Sequence, residues 1–299
     1  MRRKLKILFL GDLVGRPGRW GVRKFLEKNG KNYDFVIANV ENASHGYGLT
    51  HKNYKELSEY GIHAMTSGNH IWDKKEILQY IEEADKLVRP LNYPKGTPGF
   101  GSRVFEIEGN SSIGVINILG MVFMQPLISP WELLQKEIDK LKAKTPVIII
   151  DCHAEATAEK ISCGYIGARK GVSAVIGTHT HVQTADEKIM GNMSKQKWFS
   201  EMRSGNEDSE NKIENLQFTC HKTAYITDAG FCGSCESVIG MNINNSVDRL
   251  VKMLPLRLEV GDADKVQVNG VELVIDAITG AAEKIKRINK VMNLEEEVS

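Results

Sequence analysis

The sequence predicts an α/β fold, because short apolar runs that suit buried strands alternate with charged segments that suit helices. The clearest strand-like runs are Leu5–Leu10, Phe35–Val40 and Val147–Ile150, each almost continuously apolar, as in a strand covered on both faces. With 299 residues, the chain is long enough for one large domain with a sizeable core. We therefore expect a single domain over residues 1–299.

The composition argues against several classes of protein. Hydrophobic residues make up 41% of the chain and charged residues 26%, which is ordinary for a globular protein. The formal net charge is only +1, so no strong nucleic-acid-binding surface is expected. The apolar run Ile7–Leu10 is too short for a signal peptide or a membrane span. The five cysteines, an odd number, favour a reducing environment, and we expect a cytoplasmic protein.

Turn residues and apolar runs predict the remaining elements. The runs at 102–107 and 113–118 predict a hairpin, and the segment 89–101, rich in proline and glycine, predicts a long surface loop. Residues 190–221 are polar and predict an insertion or extended loop. Helices are predicted at about 20–28, after Thr50 as N-cap, at about 74–83 and at about 130–142. Further strands are predicted at 62–65, 174–176, 224–227, near 254–260 and at 271–276.

Five predicted strands end in side chains that commonly bind metal ions. The carboxyl ends of strands in an open α/β sheet converge on one crevice, so we expect these side chains to meet. Singly, each residue has a structural alternative as a cap, a turn or a core residue, but the coincidence of five favours a shared site. His179 and His181 are expected to point the same way in an extended chain. The candidate residues are Asp12, Glu41, Asn42, Asn69, His70, His153, His179 and His181.

The number of candidate ligands favours two metal ions. Two carboxylates, two amide carbonyls and three imidazoles exceed the four ligands of a tetrahedral zinc site. With Glu41 as a bridge, two divalent ions would leave a positive centre suited to hydroxide attack on a phosphoryl group. His70, outside this ligand set, is the candidate general acid for the leaving alkoxide. Iron, manganese and zinc all suit imidazole and carboxylate ligands.

Three motifs in the chain resemble those of a known superfamily. Gly11-Asp12-Leu13-Val14-Gly15, Gly68-Asn69-His70 and Gly177-Thr178-His179-Thr180-His181 resemble the calcineurin-like metallophosphoesterases, and the fuller pattern resembles the YmdB branch. The resemblance implies a four-layer α/β/β/α sandwich of two mixed sheets flanked by helices. It also implies a homo-oligomeric di-iron or di-manganese phosphodiesterase acting on cyclic nucleotides, particularly 2′,3′-cyclic phosphates. By the same resemblance, one ion is held by Asp12, Glu41, Asn42 and His181, and the other by Glu41, Asn69, His153 and His179.

The chain departs from the wider superfamily at two ligand positions. The usual Asp-x-His motif after the first strand is Asp12-Leu13-Val14 here, and the bridging position is Glu41 rather than an aspartate. Asn42 is the expected substitute for the missing ligand. The segment 190–221 is longer than the resemblance to the YmdB branch predicts.

Together these features predict a dinuclear-metal phosphodiesterase that uses metal-bridged hydroxide attack, with His70 as general acid. Two alternatives remain open: a phosphomonoesterase on the same metal site, and a regulatory protein that binds nucleotide with little turnover. A second cysteine-rich group, Cys232-Gly-Ser-Cys235 with Cys220-His221, lacks the spacing of a strong zinc signature and predicts reduced thiols. A structural zinc site or a redox role is the alternative there.

Overall fold

The structure is a computed structural model that describes residues 4–107, 109, 111–191, 221–262 and 264–294. The predicted polar insertion at 190–221 therefore lies almost wholly outside the described residues. The described helices are α1 (Gly15–Asn29), α2 (His51–Glu59), α3 (Pro130–Lys142), α4 (Thr157–Lys170) and α5 (Ile243–Lys252). None of them combines the length and the apolar character that a membrane span requires.

Fourteen strands are described, and they form two mixed sheets. The first seven are β1 (Lys4–Leu10), β2 (Asp12–Leu13), β3 (Phe35–Asn39), β4 (Ala64–Thr66), β5 (Leu87–Val88), β6 (Ser102–Ile107) and β7 (Ser111–Leu119). The others are β8 (Val147–His153), β9 (Ala174–Thr178), β10 (Lys188–Met190), β11 (Thr223–Ile226), β12 (Phe231–Ser234), β13 (Lys265–Asp276) and β14 (Ala282–Asn293).

Each sheet contains a run of parallel strands and, next to it, antiparallel strands. The first sheet has the order β2-β12-β13-β1-β3-β4-β5, with β14 paired to β13, and its parallel part runs from β1 to β5. The second has the order β10-β11-β9-β8-β7-β6, and β11, β9, β8 and β7 run parallel. The parallel strands of each sheet therefore present their carboxyl ends at one edge.

Three hydrophobic clusters define four layers. One cluster packs α1 and α2 on the outer face of the first sheet, with Val22 and Leu57 among its buried residues. The second fills the space between the sheets, where Phe9 of β1 and Ile149 of β8 are fully buried. The third packs α3 and α4 on the outer face of the second sheet. The α/β/β/α sandwich of two mixed sheets is therefore confirmed.

Several predicted elements have the expected bounds. The hairpin of β6 and β7 is antiparallel, and α3 covers the predicted 130–142. Thr50 is the N-cap of α2, where its hydroxyl oxygen accepts a hydrogen bond from the backbone N–H of Asn53, 3.3 Å away.

Other elements differ from the prediction. Helix α1 begins at Gly15 rather than near residue 20, since Pro17 is compatible with the first turn of a helix. The predicted helix at 74–83 is reduced to a 3₁₀ turn, Lys75–Gln79, with only Ile77 buried. Residues 254–260 contain one isolated bridge, from Met241 to Val260, instead of a strand. The prediction missed α4, α5 and the strands β2, β5, β10, β12 and β14, and it started β13 too late.

Candidate metal centre

The candidate ligands come from both sheets and meet where the carboxyl ends of the parallel strands face each other. Asp12 follows β1, Glu41 follows β3 and Asn69 follows β4 in the first sheet. His153 ends β8 and His179 follows β9 in the second. Convergence of strand ends therefore brings together residues that are up to 167 positions apart, as in the bond from the His179 N–H to the Asp12 carboxylate.

Three side chains form the centre of this cluster. Glu41, His153 and His179 each offer a ligand atom, and these atoms lie within 4.8 Å of one another. The Nε2 atom of His153 is 3.1 Å from Oε1 of Glu41 and 3.1 Å from Nδ1 of His179. Oδ1 of Asn69 is 3.2 Å from the same His153 nitrogen. Four of the predicted ligands thus surround one point.

Two further predicted ligands lie beside this group. Oδ1 of Asp12 is 3.7 Å from Nε2 of His181 and 3.9 Å from Nδ1 of His153, and it makes no hydrogen bond to a described residue. The other oxygen of Asp12 accepts the backbone N–H of His179, 3.1 Å away. Asp12 therefore connects the first sheet to the loop that carries both histidines.

Asn42 is buried, but its side chain is not part of the group around His153. Its amide nitrogen donates to the carbonyl oxygen of Gly46, 3.0 Å away, while its side-chain oxygen bonds no described residue. A buried amide oxygen that accepts no hydrogen bond lowers the stability of the fold. Binding of a cation to this oxygen would remove that cost.

The expected extended geometry of the two histidines is wrong. Strand β9 ends at Thr178, and His179 and His181 have φ angles of 95° and 61°. Left-handed backbone is unfavourable for a non-glycine residue, and such residues concentrate at functional sites. The two rings reach different neighbours, since His179 contacts His153 whereas His181 approaches Asp12 and stacks on Phe231.

Hydrogen bonds fix the tautomer of His153. The Thr178 hydroxyl donates to Oδ1 of Asp151, 2.6 Å away, so its oxygen accepts the Nδ1 proton of His153 at 2.9 Å. Nε2 of His153 then points at Glu41 and Asn69, where it can bind either a proton or a metal cation. Asn39 of the first sheet also holds Asp151 of the second sheet in place, because its amide nitrogen donates a hydrogen bond to the Asp151 carboxylate, 3.0 Å away.

The lone pairs of the cluster fit a cation. The second ring nitrogen of His179 is 3.1 Å from Oε2 of Glu155, so it donates there and leaves Nδ1 as an acceptor. Nε2 of His153, Nδ1 of His179, Oε1 of Glu41 and Oδ1 of Asn69 are then four possible ligand atoms that face one another, and a cation could replace the proton that His153 holds there. Nitrogen and oxygen donors of this kind suit first-row divalent metals.

The electrostatics point in the same direction. Burial disfavours a charged His153, but the charge and hydrogen bond of Glu41, with the charges of Asp12 and Asp151, raise its pKa to about 9. Burial opposes ionisation of Glu41, yet His153 lowers its pKa to about 2. Burial and the charge of His153 lower the pKa of His179 to about 3. A field that stabilises a proton on His153 would also stabilise a metal cation.

Gly68 keeps the centre open. A Cβ atom at this position would overlap Nε2 of His153 and Oε2 of Glu41. The glycine in the Gly68-Asn69-His70 motif therefore has a steric cause, because the backbone passes directly over the candidate ligands.

His70 lies at the rim of the cluster. Its backbone N–H donates to Oε2 of Glu41 at 3.0 Å, and its Nδ1 lies 2.8 Å from Oδ2 of Asp73. The Asp73 carboxylate accepts the Nδ1 proton, so Nε2 is the ring nitrogen that this pair does not use. Tyr47 packs edge-on against the His70 ring, with centroids 5.0 Å apart.

Sequence reasoning missed the residues that support the ligands. Lys160 of α4 and Asp228 form a buried ion pair of 2.7 Å. Asp228 also accepts the hydroxyl of Thr180 at 2.7 Å and so fixes the loop between His179 and His181. The sequence signals for these residues were the polar ends of two predicted strands, Asp151 in the β8 run and Asp228 after 224–227, whereas Lys160 lies in a helix that was not predicted.

The cysteines near the carboxyl end do not form a metal-binding group among the described residues. Cys232 is buried in β12, where its thiol contacts the carbonyl oxygen of Asn269 at 3.4 Å, and Cys235 is a free thiol. Burial raises the pKa of Cys232 to about 12, which disfavours the thiolate that metals and redox partners need. Cys220 lies outside the described residues.

Relatives of this chain are named as a phosphodiesterase and a phosphatase, so the fold and this cluster of carboxylates, amides and imidazoles belong to a phosphoric ester hydrolase. The chain belongs to the YmdB-like protein family, whose model matches residues 8–196 and 214–288.

Known proteins resemble the chain over almost its whole length. It is 40% identical to the 2′,3′-cyclic-nucleotide 2′-phosphodiesterase of Bacillus subtilis, over 95% of this chain and 96% of the relative. It is 34% identical to a putative phosphatase/phosphodiesterase of Mycoplasma pneumoniae, over 96% of this chain and 94% of the relative. A crystal structure described as a novel phosphatase from Mycoplasma pneumoniae aligns with this chain with a TM-score of 0.81 and 33% sequence identity. The alignment covers 98% of this chain and 95% of the other.

Proposed function

We propose that the chain is a dinuclear-metal phosphodiesterase that hydrolyses cyclic nucleotides, with 2′,3′-cyclic phosphates as its substrates. The observation that carries the proposal is the convergence of possible ligand atoms from Glu41, Asn69, His153 and His179 on one point at the strand ends. The 40% identity to a relative named for this activity, over 95% of the chain, supports the choice of substrate.

The proposed ligands form two sets, one for each metal ion, and Glu41 belongs to both. Glu41, Asn69, His153 and His179 would hold one ion, and Asp12, Asn42 and His181 would complete a second set with Glu41. The orphaned oxygens of Asp12 and Asn42 support this assignment. Bound ions would supply positive charge for the phosphoryl oxygens and lower the pKa of water. Iron is our first choice, with manganese or zinc as alternatives.

The protein residues supply orientation and a proton. Thr178 and Asp151 hold the ring of His153 in the tautomer that directs Nε2 inward. In its imidazolium form, His70 would keep its Nδ1 proton on Asp73 and donate its Nε2 proton to the leaving alkoxide of the opened ring, and it would regain that proton from water. His70 is therefore the proposed general acid, and Asp73 is its positioning residue.

Two variants separate these roles. Glu41→Gln should lose bound metal together with turnover of 2′,3′-cyclic AMP. His70→Ala should keep its metal and lose about 10²- to 10⁴-fold in kcat. The loss in His70→Ala should shrink for a phosphodiester with a p-nitrophenolate leaving group, which departs without a proton.

The control is His51→Ala, because the exposed His51 ring stacks on Tyr80 away from the centre. Metal content by elemental analysis and initial rates provide the measurements. Near-normal turnover in both Glu41→Gln and His70→Ala would refute the proposal.

Phosphomonoester hydrolysis is the second candidate, because the Mycoplasma pneumoniae relative and structure carry phosphatase names. A comparison of adenosine 3′-phosphate with 2′,3′-cyclic AMP at equal metal loading distinguishes the two activities. Faster release of phosphate from the monoester would favour the phosphatase. The expected homo-oligomer stays a prediction, which light scattering can test.

A further inference from the structure

A braced loop beside the candidate centre, residues 120–128, presents an exposed aromatic ring. We propose that Phe123 on this loop is the platform on which the base of a nucleotide substrate stacks. The inference rests on the proposed function, because it names how that site selects nucleotides among phosphodiesters.

The loop begins next to a candidate metal ligand. Leu119, the last residue of β7, pairs with His153 across the sheet. The backbone N–H of Gly120 donates to the carbonyl oxygen of His153, 2.9 Å away. A Cβ atom on Gly120 would lie 2.6 Å from Cβ of Ala154, so the loop is packed directly on the chain that follows His153.

Side chains from elsewhere in the fold hold this loop in place. The Asn92 amide nitrogen donates to the carbonyl oxygens of Leu119 at 3.0 Å and Ile128 at 3.1 Å, which closes the loop at its base. The Glu159 carboxylate, on a residue only 8% exposed, accepts the backbone N–H groups of Met121 and Val122, each 3.0 Å away. The loop is therefore fixed at both ends and near its tip.

Phe123 itself contributes little to folding. Its side chain is 90% exposed, so it gains almost none of the free energy that burial of a phenylalanine supplies. Its φ angle is 61°, a left-handed conformation that costs free energy for any residue with a Cβ atom. A rigid loop thus holds an aromatic ring in solvent at a conformational cost, which is the pattern of a binding residue.

A series of side-chain contacts connects the loop to the residues next to His70. The Gln125 amide donates to the hydroxyl of Tyr93, 2.6 Å away, and Tyr93 packs edge-on against Trp72 with centroids 5.7 Å apart. Trp72 lies two residues after His70.

A nucleobase is the chemical group that this surface suits. Bases have flat apolar faces that stack on exposed aromatic side chains, and this stacking tolerates different bases. The rest of the substrate, a ribose with a cyclic phosphate, is polar and gains nothing from a phenylalanine ring. The platform therefore predicts selectivity for nucleotides over phosphodiesters that lack a base.

The test compares two five-membered cyclic phosphodiesters, 2′,3′-cyclic AMP and glycerol 1,2-cyclic phosphate. Phe123→Ala should lower kcat/KM for 2′,3′-cyclic AMP about tenfold, mainly through KM, because stacking on the base is lost. The same variant should leave kcat/KM for the glycerol compound unchanged, and Phe123→Tyr should restore the wild-type values. Leu250→Ala, at a position 78% exposed on α5, is the matched control.

Three results would overturn the inference: an equal loss on both substrates, no loss on either, or a changed oligomeric state of Phe123→Ala in size-exclusion chromatography. The last result would assign Phe123 to contacts between copies. If the wild-type protein hydrolyses neither compound, the proposed function fails. Equilibrium binding of adenosine 2′-phosphate and glycerol 2-phosphate to the wild type and to Phe123→Ala then tests the platform separately. Weaker binding of the adenosine compound alone in Phe123→Ala would support the platform, and equal binding would overturn it.

Discussion

At the scale of single residues, Gly68 is the position where one added methyl group should matter most. Gly68→Ala would place a Cβ atom onto the ligand atoms of His153 and Glu41. The backbone cannot retreat without moving Asn69, the next candidate ligand. We expect Gly68→Ala to lose most of its bound metal and its hydrolytic activity, as measured by elemental analysis and initial rates.

The matched control is Gly30→Ala. Gly30 has helical backbone angles, and a Cβ atom there would meet nothing closer than 3.8 Å. This substitution should raise the free energy of unfolding by about 0.4–1 kcal/mol and leave metal content unchanged. Full metal content in Gly68→Ala would contradict the steric argument.

Thr178 offers a second test at the residue scale, because its hydroxyl connects His153 to Asp151. Thr178→Val keeps the shape of the side chain but removes the group that orients the ring. Loss of such an orienting partner weakens metal binding by about 10- to 100-fold. We expect a loss of this size in a competitive metal titration.

Thr223→Val is the control for this change. Thr223 is equally buried, and its hydroxyl donates to the carbonyl oxygen of Val172, at the opposite end of the strands from the candidate centre. Both variants leave a polar partner unsatisfied and should lose about 1–3 kcal/mol of stability. Only Thr178→Val should lose metal affinity, so equal affinities would exclude the orienting role.

At the scale of elements, the sequence predicted best what apolar periodicity and turn residues determine locally. The β6–β7 hairpin, α3 and the Thr50 cap were confirmed for that reason. The 3₁₀ turn at Lys75–Gln79 could not be predicted, since its charged pattern looks helical while only Ile77 is buried. Strand β14 was missed because its less exposed residues recur about every third position among many lysines, typical of an edge strand, so no alternating pattern marks it.

The ion pair between Lys160 on α4 and Asp228 after β11 joins a helix to the histidine loop. Both side chains are almost fully buried, so removal of one charge leaves the other without compensation. Lys160→Met should therefore lose about 3–5 kcal/mol in the free energy of unfolding. Denaturant unfolding measures this loss directly.

An exposed pair provides the comparison. Lys170 lies on the same helix, 2.8 Å from Asp139, and both side chains are accessible to water. Lys170→Met should change stability by less than about 1 kcal/mol. Similar stabilities for Lys160→Met and Lys170→Met would show that burial of the first pair has no energetic consequence.

At the scale of the whole molecule, the candidate centre exists only because two sheets meet. The sequence predicted its residue types, since polar side chains follow buried strands. It could not predict the tautomer network, because Asn39, Asp151 and Thr178 acquire their roles only through contacts between strands. It also could not predict the left-handed histidine loop, which depends on bonds from Thr180 to Asp228.

A contact far from the centre also ties the two sheets together and should make stability depend on pH. His221 precedes β11 of the second sheet, and its Nε2 donates to the carbonyl oxygen of Gly280, between β13 and β14 of the first, at 3.0 Å. Burial lowers the pKa of His221 from 6.5, the bond to Gly280 opposes this change, and the charge of Lys142 adds to it. Below about pH 6.5 the unfolded chain therefore binds a proton that the native state resists, and stability falls as pH falls.

The variant His221→Gln keeps a donor for Gly280 and removes the titration. Its free energy of unfolding should decline less between pH 8 and pH 5.5 than that of the wild type, since all other titrating groups are shared by the two proteins. Urea unfolding of both proteins at the two pH values provides the measurement. Parallel declines would mean that His221 takes up its proton equally well in the folded and unfolded states, and the burial argument for this contact would then be wrong.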